Sequence, residues 1–231
     1  MLIFGIMLTL FIILFWGCMV VGPSLLSVKD LCFERDDTQI IDSVCLDLSG
    51  GEILQIEGPN GSGKTTLLRL LTSALTPTRG NIYYRGKALS ECRFEYLSDL
   101  LFLGHHSAVK VTLSAEENLS WMTGRSTVCE ELLSALDSVQ LTGYSDVPCY
   151  RLSAGQQRRV ALARLLISDA KLWILDEPFA ALDSQGVALV EDCMQKHLDG
   201  GGSVVLSTHQ PVAMKAVRRY SLMDQAIQGA V

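Results

Sequence analysis

The sequence predicts an α/β protein with a mainly parallel core sheet that is covered on both faces by helices. Short apolar segments typical of strands alternate with segments whose apolar residues recur at helical spacing. A glycine-rich loop stands between one such strand and one such helix. No internal repeat or low-complexity linker interrupts this order. Because parallel strands are joined by long crossovers that are usually helical, the alternation favours a parallel sheet.

The composition is that of a globular protein with a sizeable core. The chain has 231 residues, of which 48% are hydrophobic and 19% are charged. This suits one large α/β domain, or one domain with an appendage. The net charge of −6 argues against nucleic acid as the main partner, because binding to phosphates needs a basic face. The seven cysteines are scattered without a C-x-x-C pair, so neither a disulfide framework nor a zinc site is indicated.

The first 22 residues form an uncharged apolar leader. About 20 such residues can span a bilayer as a helix, so an N-terminal membrane anchor is one interpretation. A signal peptide is disfavoured because no positive segment precedes the apolar run. A start assigned upstream of the real one, with Met19 as a later start, is the favoured interpretation. The leader is therefore left out of the fold prediction, which places the folded domain at residues 25–224.

The elements follow from local patterns in chain order. Strands Ser27–Glu34 and Ile40–Leu48 are predicted around the turn Asp36-Asp37, and a third strand, Glu52–Glu57, precedes the glycine-rich loop. The further predicted strands are Asn81–Arg85, Leu100–Leu103, Lys171–Leu175 and Ser203–Ser207. One helix is predicted directly after the loop. The further predicted helices are Glu116–Thr123, Val128–Val139, Ser153–Ile167 and Gly186–Leu198.

The glycine-rich loop fits the pattern G-x-x-x-x-G-K-[ST] between a strand and a helix, which is the context of a phosphate-binding loop. Its residues are Gly58, Pro59, Asn60, Gly61, Ser62, Gly63, Lys64, Thr65 and Thr66. Backbone N–H groups would surround phosphate oxygens, and the helix N-terminus would add partial positive charge. Lys64 would reach the β- and γ-phosphates, and Thr65 would offer its hydroxyl to Mg²⁺. A glycine-rich turn with a solvated lysine is the disfavoured alternative.

Two acids, Asp176 and Glu177, follow the apolar strand Lys171–Leu175. In a parallel sheet the carboxyl ends of strands are where ligands bind. Asp176 would hold Mg²⁺ through water, and Glu177 would polarise the water that attacks the γ-phosphate. The alternative is a pair of acids that only caps a strand.

A serine and a glycine open the strong helix that begins near Ser153, which makes an anion-binding N-terminus. The segment Leu152–Gln157, which reads LSAGQQ, matches a family signature that is usually written LSGGQ. It occurs together with the phosphate loop and the two acids. From Leu25 to about Leu222 the chain resembles the ATP-binding-cassette (ABC) ATPases. The resemblance implies a P-loop NTPase fold with a mainly parallel core sheet, a small antiparallel β subdomain and a helical subdomain at about residues 107–167.

The resemblance also implies that two cassettes pair head to tail as a homodimer. Ser153, Gly155 and Gln156 would then contact an ATP held by the other copy, so one chain alone would be a poor ATPase. Asp183, in Ala-Leu-Asp, resembles the loop that links the two sites. His209, in Ser-Thr-His-Gln, resembles the family's switch histidine, which contacts the γ-phosphate and helps to orient the attacking water.

Two positions depart from the family's pattern. His106, after the strand Leu100–Leu103, aligns with a Gln that normally touches Mg²⁺ or water, and a neutral histidine could replace its hydrogen bond. His105, the other residue of this histidine pair, is less favoured for this role. Arg35 falls where many relatives stack a Tyr on adenine, and a guanidinium can stack on a purine.

Within this family the chain most resembles the ATP-binding subunits of haem exporters in cytochrome c maturation. The resemblance rests on the segments Leu152–Ile167 and Leu172–Asp183. This resemblance implies ATP and Mg²⁺ as cofactors, integral membrane subunits as partners, and a peripheral place on the cytoplasmic or matrix face of the inner membrane. Neither a nucleic-acid partner nor direct haem binding is expected. An ATPase subunit for another substrate and a non-transport ABC ATPase are the alternatives.

Overall fold

The computed structural model describes residues 24–125, 130–210, 212, 214 and 217–222. The leader at residues 1–22, the start of the helix predicted at Val128–Val139 and the last two residues of the predicted domain lie outside the described residues. Within the described ranges, no helix combines the length and the apolar character that crossing a membrane requires.

The strands and helices alternate through most of the chain. The strands are β1 (Leu26–Arg35), β2 (Thr38–Leu48), β3 (Ile53–Glu57), β4 (Arg79–Tyr84), β5 (Lys87–Ala88), β6 (Leu100–Leu103), β7 (Leu172–Asp176), β8 (Ser203–Ser207) and β9 (Val217–Ser221). The α-helices are α1 (Lys64–Leu71), α2 (Leu89–Ser98), α3 (Ala115–Thr123), α4 (Glu130–Ser138), α5 (Ala154–Ala163) and α6 (Ser184–Asp199).

The core sheet is parallel and has the strand order β6-β7-β8-β3-β9. Every residue of β7 and β8 is buried, as expected of strands that are covered on both faces. The register pairs Asp176 with Ser207, and Ser207 with Ile56. The carboxyl ends of β3, β7 and β8 therefore meet at one edge of the sheet. This arrangement confirms the predicted fold class.

A second, antiparallel sheet has the order β2-β1-β4-β5. Asp36 and Asp37 turn between its first two strands, both in the left-handed region at φ 50° and 58°, which Asp tolerates. Side chains of this sheet, including Ile41, share one buried apolar cluster with Leu67 and Leu71 of α1. The antiparallel sheet thus packs directly on the helix that follows the glycine-rich loop.

Helices α3, α4 and α5 pack around a separate apolar cluster that includes Leu119, Leu132 and Val160. The N-terminus of α3 is fixed by a capping box, in which Ser114 accepts from the backbone N–H of Glu117 and the Glu117 carboxylate accepts from that of Ser114. The described part of the segment 107–167 thus holds three helices that share a cluster of their own.

Three elements differ from the sequence prediction. The helix predicted at Ser153–Ile167 stops being α-helical at Ala163 and continues as a 3₁₀ turn, Arg164–Leu166. Helix α2 was not predicted because its sequence has no apolar stripe, and Cys92 breaks its regular geometry at φ −127° and ψ 24°. Strand β9 was missed because it is a half-exposed edge strand rather than a continuous apolar run.

Candidate functional site

The glycine-rich loop connects β3 to α1, and its carbonyl oxygens bind the side chain of Lys64. The Lys64 ammonium donates to the carbonyl oxygens of Gly58 at 2.7 Å and Pro59 at 3.0 Å. A backbone hydrogen bond of 3.2 Å from Ser62 to Pro59 tightens the turn. Because α1 begins at Lys64, the ammonium lies beside a helix N-terminus, whose first N–H groups have no partner within the helix.

Two glycines of this loop, Gly61 and Gly63, adopt left-handed conformations at φ 84° and 92°. A Cβ atom at Gly63 would lie 2.8 Å from Cδ1 of Ile41 and 3.0 Å from the carbonyl oxygen of Ile40, whereas one at Gly61 would meet nothing within 4 Å. A side chain at position 63 would therefore force strand β2 to shift, in addition to the strain of the left-handed φ.

Strand β8 fixes the two acids at the end of β7. The Ser207 hydroxyl donates to Oδ1 of the buried Asp176 at 2.6 Å. The backbone N–H of Glu177 donates to the carbonyl oxygen of Ser207 at 3.0 Å. Glu177 has a left-handed φ of 50°, which costs a non-glycine residue about 1–2 kcal/mol. Neighbouring contacts must hold this strained turn, and they set the direction of the Glu177 carboxylate.

His209 lies beside Glu177. Its Nε2 lies 3.5 Å from Oε1 of Glu177, and its backbone nitrogen lies 3.4 Å from Oε2. The Glu177 side chain is 20% exposed, so its carboxylate is partly open to solvent. This pair of side chains could together orient one water molecule.

The loop and the acids line one cavity of about 740 Å³, within the usual size range of small-ligand sites. Its lining contains nine of the predicted site residues: Asn60, Gly61, Gly63, Lys64, Thr65, Thr66, Asp176, Glu177 and His209. Ile40, His105 and Ala180 complete the lining. These nine residues, from the phosphate loop, the acids and His209, thus converge on one space, whereas Gly58, Pro59 and Ser62 of the loop are not in its lining.

The histidine pair after β6 presents His105 to the cavity. His106 is not among the residues that line it, and its ring meets that of His105 edge-on at 5.4 Å between centroids. The sequence favours His106 over His105, whereas the residue in the lining is His105. Which of two successive side chains faces a ligand depends on loop geometry, and no pattern in the sequence encodes that geometry here.

Several predicted residues lie away from the cavity lining. Arg35 ends β1 with 73% of its side chain exposed, 3.6 Å from the carboxylate of Asp36. At the start of α5, the Ser153 hydroxyl accepts from the Gln156 N–H at 3.2 Å, and the Gln156 side chain accepts from the Ser153 N–H at 2.9 Å. Asp183 caps α6 and pairs with Arg159 at 2.8 Å. These positions bring no side chain to the cavity of their own chain.

Arg158 is a residue that the sequence analysis missed. The helical pattern places it among polar positions of α5, yet only 5% of it is exposed. Its guanidinium donates to the carbonyl oxygens of Gly104 at 2.7 Å and Glu177 at 2.8 Å. Burial lowers the pKa of this guanidinium, and the nearby carboxylates of Asp176 and Glu177 oppose that shift. Arg158 is followed closely by the apolar residues Val160–Ala163, which was the only available signal.

The chemistry of the lining fits a nucleotide and a hard cation. Backbone N–H groups and the Lys64 ammonium suit phosphate oxygens. The Thr65 hydroxyl and the Asp176 carboxylate are oxygen ligands of the kind that Mg²⁺ prefers. Within the described residues the Ser62 hydroxyl is buried without a hydrogen-bond partner, and Ser62 does not line the cavity.

Comparison with known proteins identifies one family. Residues 41–180 match the ABC transporter family. The cytochrome c biogenesis ATP-binding export protein CcmA of Hahella chejuensis is 47% identical over 201 residues, which cover 86% of this chain and 95% of that protein. The protein of the same name from Pseudomonas putida KT2440 is 49% identical over 192 residues, which cover 82% of this chain and 91% of that protein.

Solved structures show the same fold. A putative ABC transporter ATP-binding protein from Pyrococcus furiosus superimposes with a TM-score of 0.72 at 28% identity, and the match covers 86% of this chain and 98% of that one. The ATP-binding cassette MJ0796, a dimer in a post-hydrolysis state with ADP and Pi bound, superimposes with a TM-score of 0.70 at 25% identity, covering 80% of this chain and 88% of that one.

The close packing of β2 on the loop predicts that two glycines respond differently to the same change. Gly61→Ala should lower the free energy of unfolding by about 1–2 kcal/mol, because only the left-handed conformation is strained. Gly63→Ala should lower it further, since its methyl group must also displace Ile41. Denaturant unfolding without nucleotide measures both variants. Equal losses would show that β2 does not constrain the loop.

Proposed function

The chain belongs to the ABC transporter family, and from this membership we propose that it is the ATP-hydrolysing subunit of an exporter that serves cytochrome c biogenesis. The observation that carries the proposal is the shared cavity, where the Lys64 loop faces Asp176, Glu177 and His209. The export role and its link to cytochrome c are supported by the names of relatives that are 47% and 49% identical.

In this proposal ATP binds with its phosphates in the loop Gly58–Thr66 and its adenine near Arg35. The loop's N–H groups and the Lys64 ammonium bind phosphate oxygens. Thr65 and, through water, Asp176 hold Mg²⁺, which supplies charge neutralisation on the phosphates when bound. The short hydrogen bond from Ser207 keeps the Asp176 carboxylate in one orientation.

Glu177 is the proposed general base, which accepts a proton from the water that attacks the γ-phosphate. His209, 3.5 Å from that carboxylate, helps to orient the water and contacts the γ-phosphate. The loop after β6 supplies a further polar side chain. His106 is the residue aligned with the family's Gln, and His105 is the neighbour that lines the cavity.

A second copy of the chain is proposed to complete the site. Ser153, Gly155, Gln156 and Asp183 do not line the cavity of their own chain, which agrees with a role at the ATP of a partner. The dimeric form of the similar cassette MJ0796 supports this arrangement. ATP would then hold two copies together, and hydrolysis would let them separate.

The dimer is proposed to act on integral membrane subunits at the cytoplasmic or matrix face of the inner membrane. Opening and closing would drive transfer of haem, or release of a haem-loaded chaperone, on the other side. The chain itself would not bind haem, and its net charge of −6 disfavours nucleic acid as a partner.

Substitutions at Lys64 and Glu177 should separate binding from hydrolysis. Lys64→Ala should weaken ATP binding by about tenfold or more, because a charge-assisted contact to phosphate is lost. Glu177→Gln should bind ATP normally but turn over about 10²–10⁴-fold more slowly, since an amide cannot accept the proton. Equilibrium titration and phosphate release measure the two properties.

The exposed Lys196, on α6, offers the matched control Lys196→Ala, which should bind and hydrolyse ATP as the wild-type chain does. Turnover by Glu177→Gln at the wild-type rate would show that Glu177 is not the base. Unchanged ATP affinity in Lys64→Ala would exclude the loop as the phosphate site.

The substrate is tested in cells that lack the gene. Holo-cytochrome c should disappear while the apoprotein is still exported, and the wild-type gene but not the Glu177→Gln variant should restore it. Immunoblotting for apoprotein together with haem staining measures both forms. Normal holo-cytochrome c in the deletion strain would favour an exporter of another substrate.

A further inference from the structure

Arg158 joins three segments of the chain, two of which contribute residues to the lining of the cavity. It lies on α5, is 5% exposed, and donates to the carbonyl oxygens of Gly104 at 2.7 Å, His105 at 3.4 Å and Glu177 at 2.8 Å. Gly104 and His105 form the loop after β6, and Glu177 forms the turn after β7. One guanidinium therefore binds both loops that reach the cavity from neighbouring strands.

The planar guanidinium suits this position because its two terminal nitrogens point in fixed, different directions. One nitrogen serves the loop after β6, and the other serves the turn after β7. Burying a cation costs free energy, which the negative charges of Asp176 and Glu177 offset in part. A lysine would keep the charge but has only one nitrogen, so it could not serve both loops with the same geometry.

We infer that Arg158 is a positioning residue that holds Glu177 and the His105 loop in their working places at the cavity. Glu177 has the strained φ of 50°, and its backbone groups are bound on both sides. Its N–H donates to Ser207, and its carbonyl oxygen accepts from Arg158. That oxygen also accepts from the backbone N–H of Ala180 at 3.2 Å, which closes the turn itself. Loss of the shorter contact from Arg158 would therefore leave the turn without its link to α5, and would let the carboxylate move away from its water.

The same residue connects the cavity to the start of α5. Ser153, the N-cap of this helix, precedes Arg158 by five residues, or about 7.5 Å along the axis. Ser153 and Gly155 are the residues proposed to contact the ATP of a second copy. A displacement of α5 by that contact would be passed through Arg158 to Glu177 in the chain's own site. The inference rests on the proposed ATPase function.

Arg164 provides a matched control on the same segment. It begins the 3₁₀ turn that extends α5, is partly buried, and donates to the carbonyl oxygen of Phe102 at 3.3 Å. Burial lowers the pKa of its guanidinium, as it does for Arg158. Phe102 lies within β6 rather than in the loop. Arg164 therefore resembles Arg158 in donating to a backbone carbonyl oxygen, but it makes no contact with Glu177.

The test compares Arg158→Lys with Arg164→Lys in the full chain, by steady-state ATP hydrolysis over a range of ATP concentrations. Arg158→Lys should lower kcat by about 30–100-fold with KM nearly unchanged, because misplacing a catalytic group by about 1 Å costs that much while the phosphate loop stays intact. Arg164→Lys should keep kcat close to wild type. Melting temperatures of both variants account for any general loss of stability.

Chemical rescue separates positioning from stability. In Arg158→Ala, millimolar free guanidinium can occupy the vacated volume and bind the same carbonyl oxygens, so it should raise kcat several-fold. In Arg164→Ala the same salt should not raise kcat. A stability defect alone would not respond to guanidinium, which destabilises folded proteins in general.

The outcomes distinguish the inference from the function on which it rests. If the wild-type chain hydrolyses ATP and Lys64→Ala does not, but Arg158→Lys and Arg164→Lys have equal kcat values and guanidinium rescues neither alanine variant, the positioning role is wrong. If the wild-type chain shows no hydrolysis that depends on Lys64, the proposed function fails, and the inference fails with it.

Discussion

The parallel pairing of β3, β7 and β8 is the constraint on which the rest of the site depends. Because these strands run the same way and end in register, the Lys64 loop, the acids Asp176 and Glu177, and His209 are delivered to one edge. Residues that are more than 100 positions apart in the sequence thus share one cavity. The side chains on both faces of β7 and β8 are packed in the interior, so a shift in register would disrupt that packing.

The edge is then refined by a few polar contacts from neighbouring elements. The Ser207 hydroxyl orients Asp176, and the Ser207 carbonyl and Arg158 hold the backbone of Glu177 from two sides. Ile41 of strand β2 packs closely against Gly63, and this contact limits the conformation of the loop. The site is therefore built on a rigid frame, while the start of α5, which is exposed, is available for contact with a second copy.

The sequence was sufficient where function rests on consecutive residues. The phosphate loop, the acidic strand end and the family were predicted from local patterns, and the fold class and the family are confirmed. The burial of Arg158, the orientation of His105 and the edge strand β9 were missed. Each depends on which distant segment lies opposite, so no local periodicity reports it. The part taken by Ser153 and Gly155 stays a prediction because it concerns contacts between two chains.

That the site is shared between two copies is tested most directly by mixing two inactive variants. Lys64→Ala removes the phosphate lysine but keeps the start of α5. Gly155→Asp keeps the loop but puts a carboxylate at the start of α5, where a Cβ has room. ATP hydrolysis by the mixture should exceed the sum of the separate variants, because mixed dimers contain one intact site. Hydrolysis equal to that sum would contradict a site completed by a second chain.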